Sequence, residues 1–148
     1  MPDTRQFALL SDLAQERRDA AARKLARALK LLTESKARLE LLEKYASDYR
    51  VRLALNVSHG VTADELRNFR EFIAKLGEAI GQQRAEVETL ARGVTDCRNG
   101  WMFARREGLS FDVLAERAEA SAREVESRRL QKLVDEFAGR VAALRVVG

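Results

Sequence analysis

The chain has 148 residues, of which 34 % are charged and only 6 % aromatic, and its net charge is +4. This length suits one domain, but so few rings among so many charges argue against a thick globular core and favour an elongated helical structure. The one proline is Pro2, so no pyrrolidine ring forces a break in the body of a helix.

Both signs of charge are interspersed. Residues 1–30 carry seven Lys/Arg against four Asp/Glu, and residues 104–148 carry nine against eight. Such a mixture reads as a solvated helix surface more readily than as the basic stripe of a nucleic-acid-binding protein. A single cysteine, Cys97, excludes an internal disulfide and suits a reducing cytosol. There is no signal peptide and no apolar run of about 18 residues, so the chain is expected neither to span a membrane nor to enter the secretory route.

The first helix is expected over residues 4–56. Its opening is loosely patterned by Phe7, Leu10, Leu13, Ala14 and Ala21. From Leu25 a heptad frame takes over: Leu25, Ala28, Leu32, Ser35, Leu39, Leu42, Ala46, Tyr49 and Leu53. This alternation of four- and three-residue steps is the seam of a coiled coil.

A turn is expected at residues 57–61. Asn56, Ser58, His59 and Gly60 interrupt the pattern, and Gly60 tolerates the positive φ that ends a helix. His59 reads as a solvated turn residue. Thr62 and Glu65 then form T-x-x-E, a capping box for a new helix start.

The second helix is expected over residues 62–144. Its seam runs Leu66, Phe69, Ile73, Leu76, Ile80, Gln83, Val87, Leu90, Val94, Cys97, Trp101, Ala104, Gly108, Phe111, Ala115, Ala118, Ala122 and Val125. The frame weakens from Gly108 and slips after Val125, resuming at Leu130, Val134, Phe137, Val141 and Leu144; a slip of this kind alters supercoiling or marks a bend. Gly100 and Gly108 bracket Trp101, Met102 and Phe103 and mark a candidate kink.

So short a turn makes the helices antiparallel neighbours. The expected fold is all-α: one domain over 1–148, a long antiparallel two-helix coiled coil whose second helix is the longer. With the turn centred near residue 59, residue 7 faces a point near 111. The remaining stretch, about 35 residues or on the order of 50 Å of helix, then lacks a partner in its own chain. Its apolar residues need a second copy, a fold-back or another protein, unless the tail is frayed.

Catalysis finds little support. One histidine and one cysteine do not build a metal site of the common kinds, and Cys97 at a d position reads as a small apolar core residue. The carboxylates are scattered at helical spacing. No enzyme activity, cofactor or metal is expected.

The edge of the coil is more informative. Phe72 and Ala79 in the second helix and Arg38 and Tyr45 in the first all hold g positions, which meet across an antiparallel coil. The register pairs Tyr45 with Phe72, Arg38 with Ala79 and Arg52 with Glu65, with half-heptad alternatives open. One edge near the turn thus carries Tyr45, Phe72 and Ala79 beside Leu42, Tyr49 and Leu76. Such a patch is a candidate docking site, or else Phe72 only broadens the core. Gly77 and Gly81 either have no role or let another chain approach the helix.

In its order of elements the chain resembles the flagellar export protein family FliJ. The resemblance rests on the G-V-T turn at Gly60, Val61 and Thr62, the patch Leu42, Tyr45, Tyr49, Phe72, Leu76 and Ala79, and a C-terminal run Arg128, Gln131, Lys132, Asp135, Glu136, Phe137 and Ala138. It implies a cytoplasmic component of the flagellar type III export apparatus, associated peripherally with the inner face of the cell membrane at the flagellar base. It also implies a likeness to the γ stalk of rotary ATPases, insertion into the ring of the export ATPase FliI, contact with the export gate FlhA, and escort of export chaperones, all in the service of motility. The family's gate-binding residues fall on Phe72, Leu76, Ala79 and Gln83, the last a histidine in enteric members. Candidate contacts with the ATPase ring are Arg17, Arg18, Arg128, Arg129, Lys132 and Glu136. Three other readings stand beside this one: the equivalent stalk of a virulence type III secretion system, a self-associating coiled-coil scaffold, and a nucleic-acid-binding hairpin.

Overall fold

The computed structural model describes residues 4–147; residues 1–3 and 148 of the expected 1–148 domain lie outside the described residues. Two helices form a hairpin, α1 (Thr4–His59) and the longer α2 (Ala63–Val147), and no strand occurs among the described residues.

The reversal is tighter than the sequence suggests. α1 continues through Val57 and Ser58, where the turn was expected, and the Ser58 hydroxyl donates back to the Leu55 carbonyl at 2.7 Å within the same helix. Termination falls to Gly60, whose φ of 88° is strained for any residue with a Cβ. On the far side, the Glu65 amide donates to the Thr62 hydroxyl at 3.2 Å and the Leu66 amide to the Thr62 carbonyl at 3.0 Å. Thr62 is therefore the N-cap of α2, and Asp64 and Glu65 in the first turn complement the positive end of the helix dipole.

The chain gathers into two compact units. One is Ala21–Trp101, and the other combines the described parts of Met1–Ala20 and Met102–Gly148. Helical structure runs through Gly100 and Gly108 without interruption, and the division falls between Trp101 and Met102.

Within Ala21–Trp101, every expected seam position from Leu25 to Leu53 and from Leu66 to Trp101 is buried or half-buried. The deepest side chains are small or of moderate size, namely Ala46, Ile80, Val94 and the fully buried Ser35. Two helices alone cannot enclose large side chains, so most seam leucines keep one flank in water. Ser35 meets Gln83 and Tyr49 meets Phe69, and each pair is equidistant in sequence from residue 59. The expected ion pair of Arg52 with Glu65 does not form among the described residues. Holding two long exposed side chains together gains little in water.

In the other unit, Ala14 is buried, and Phe7, Leu10, Ser11 and Arg18 are half-buried beside it on α1. The facing α2 positions are Ala104, Glu107, Gly108, Phe111, Asp112, Ala115 and Ala118, all buried or half-buried. The Ser11 hydroxyl donates to the Asp112 carboxylate, and Arg17 pairs with Glu107 at 3.5 Å. Phe7, expected opposite residue 111, instead shares a groove with Thr4, Leu114, Ala118, Ala122 and Val125. Burial consequently persists to Ala118, and residues 119–140 are exposed throughout. The weak small-residue frame after Gly108 is covered because α1 reaches it, not because it is a strong seam.

Candidate partner-binding surfaces

The first surface lies in the Ala21–Trp101 unit. Helical spacing places Phe69 on the seam and Phe72 beside it, one turn further on. Tyr49 from α1 enters between them. Its ring stacks on Phe72 with centroids 4.3 Å apart and planes at 29°, and meets Phe69 at 5.8 Å and 58°. One face of Phe72 is thus covered, yet 44 % of the residue remains exposed, and Tyr45 is 52 % exposed. The edge position expected to pair Phe72 with Tyr45 pairs it with Tyr49 in ring contact. Leu42, Leu76 and Ala79 are half-buried along the same stretch. A shallow recess beside them is lined by Tyr49, Glu65, Asn68, Phe69 and Phe72.

Gln83 differs from the other three residues carried over by resemblance. Its amide nitrogen donates to the Ser35 hydroxyl at 2.8 Å and to the Ser35 carbonyl at 3.0 Å. The side chain is spent between the helices. Gly77 and Gly81 stand in open space, where an added Cβ meets nothing within 4 Å.

The second set of candidates lies in the other unit and does not form one cluster. Arg17 is engaged with Glu107, and Arg18 bonds to Gln15 while its guanidinium lies 3.6 Å from where a Cβ on Gly108 would stand. Arg128 pairs with Glu124 at 2.6 Å on its own helix, about 30 Å along α2 from Glu107 at the helical rise. Arg129, Lys132 and Glu136 are exposed nearby. The apolar residues of this segment are equally uncovered, with Val134 at 60 % and Phe137 at 69 % exposure.

Periodicity did not single out an outward stripe on α2 formed by Met102, Leu109 and Val113, each near half exposed. These residues sit off the seam, and their one signal was an apolar residue recurring on the face where charges were expected. Among the described residues no group of three or more His, Cys, Asp or Glu is placed to hold a metal ion, and no helix is long and apolar enough to cross a membrane.

Comparison with known proteins gives the family of the chain. The family model described as "Flagellar FliJ protein" matches residues 4–146. The chain is 32 % identical over 136 residues to a flagellar FliJ protein of Escherichia coli (strain K12), covering 92 % of each chain. It is 30 % identical over 133 residues to a flagellar FliJ protein of Salmonella typhi, covering 90 % of each. With the family model spanning both helices and the turn between them, the chain belongs to the flagellar FliJ family.

Proposed function

We propose that this chain is a stalk and chaperone-escort component of the flagellar type III export apparatus, linking the export ATPase FliI to the cytoplasmic part of the export gate FlhA. It acts by binding, not by catalysis, in the cytoplasm at the inner face of the membrane beneath the flagellum. The observation that carries this reading is the half-exposed Phe72 stacked on Tyr49 within a chain of the FliJ family. A ring held rigidly by one face and open on the other is the arrangement expected of an interface anchor, because its side-chain entropy is already lost before a partner arrives.

Phe72, Leu76 and Ala79 present the gate-binding edge. The second surface is the exposed 119–140 segment, where Arg128, Arg129, Lys132 and Glu136 accompany Leu130, Val134 and Phe137 and contact the ATPase ring. The flagellar names of both relatives favour this apparatus over its virulence counterpart.

The deciding experiment is calorimetric titration of the protein into the purified cytoplasmic domain of the export gate, with Phe72→Ala in parallel. Loss of binding in the variant with an unchanged circular dichroism spectrum supports the reading. Absence of binding by the parent protein to both the gate domain and the export ATPase overturns it.

A further inference from the structure

Ser35 is the one buried polar residue among the described residues, at 0 % exposure, and it lies in the middle of a seam otherwise built from apolar side chains. On α1 its seam neighbours are Leu32 and Leu39; on α2 Gln83 lies between Ile80 and Val87. Leucine against leucine gives nearly the same burial in several alignments, so such a seam defines its register weakly. A carboxamide against a hydroxyl does not have that freedom. The Gln83 amide reaches both the Ser35 hydroxyl, at 2.8 Å, and the Ser35 carbonyl, at 3.0 Å. A half-heptad slip sets Gln83 against Leu32 or Leu39, where the amide loses both bonds and faces hydrocarbon.

We propose that Ser35 and Gln83 form a polar lock that selects the register of α1 against α2, making Gln83 a positioning residue for the Phe72 edge and not a contact with a partner. The register decides which α1 side chain meets Phe72, and the Tyr49 stack at 4.3 Å exists in one alignment only. A polar residue placed once in an apolar coiled-coil seam has this physical effect in general: it costs stability and rejects alternatives. The link to partner binding rests on the function proposed above; the link to register does not.

The test measures the distance between nitroxide labels at Lys30→Cys and Lys75→Cys in full-length protein carrying Cys97→Ser. These exposed positions are offset along the unit, so a half-heptad slip, about 5 Å of axial displacement, changes their separation. The parent is expected to give one narrow distance. Gln83→Leu is expected to keep its helicity and add a second, displaced population of at least about a tenth of the molecules, and Ser35→Ala, which barely alters volume, is expected to do the same to a smaller degree. A single unshifted distance in folded Gln83→Leu overturns the lock. Binding to the gate domain supplies a separate arm. A loss of affinity in Gln83→Leu that matches the displaced fraction supports positioning, whereas a loss of about tenfold or more with an unshifted distance assigns Gln83 to the contact itself and overturns the proposal. If the parent does not bind the gate domain, the bridging function fails while the distances still decide the lock.

Discussion

The rings of Tyr49 and Phe72 stack across the hairpin with centroids 4.3 Å apart, while Phe72 keeps 44 % of its surface exposed. The contact is thus both a clamp between the helices and an open face. Its two roles separate experimentally, since one is read in stability and the other in association.

Phe72→Ala should lower stability by about 1–2 kcal/mol, the worth of an aromatic pair plus a partly buried ring. Helicity should be nearly unchanged, because the seam from Leu25 to Trp101 remains. Urea unfolding followed at 222 nm checks the stability. Affinity for the export-gate domain should fall by about tenfold or more. A cooperative collapse of the hairpin instead would mean that the ring belongs to the core.

Thr62→Ala removes the oxygen that accepts the Glu65 amide at 3.2 Å and should cost about 1 kcal/mol. Thr62→Ser keeps that acceptor and should be close to neutral. Amide hydrogen exchange at Glu65 distinguishes a local from a global effect: loss of the cap should speed exchange there first.

The glycines should respond with opposite signs. Gly60→Ala forces a Cβ into a φ of 88° and should destabilise by about 1–2 kcal/mol, although nothing lies within 4 Å of that Cβ. Gly77→Ala and Gly81→Ala sit within α2 with equally open surroundings and should each stabilise by about 0.5–1 kcal/mol. Thermal unfolding of the three variants tests both signs. A Gly77→Ala protein that is more stable yet binds the gate domain less well would show that a partner backbone approaches there.

Phe137→Ala should change stability by no more than about 0.5 kcal/mol, because the residue is 69 % exposed. If residues 119–140 seat in the ATPase ring, the same substitution should weaken binding to the export ATPase, measured by sedimentation with labelled protein. An unfolding midpoint that drops markedly would show that Phe137 packs within this chain instead.

Much of the fold was legible because a two-helix hairpin writes its packing directly into a linear pattern. Every heptad position named between Leu25 and Ala118 on the two helices is buried or half-buried, and residue 59 is the centre of the Ser35–Gln83 and Tyr49–Phe69 pairs. A four-three alternation specifies a face, and a face on each of two helices joined by a short turn sets which faces meet, though not at which half-heptad step. Gly60 and Thr62 declared the reversal for reasons equally local: one lacks a Cβ and the other carries a capping hydroxyl.

Tertiary structure decided what depends on two side chains meeting. Phe72 stacks on Tyr49 and not on Tyr45, Gln83 turns inward to Ser35, and Arg52 leaves Glu65 alone. Periodicity assigns a residue to a face but not to a rotamer, and the choice among neighbours a turn apart follows from ring geometry, hydrogen-bond reach and the entropy of long side chains. The extent of cover on α2 was likewise a matter of three dimensions. Phe7 reaches the groove at Leu114, Ala118 and Val125, so the exposed stretch begins after Ala118. Spacing along one chain sets which residues seek burial; the approach of the other helix sets which of them obtain it.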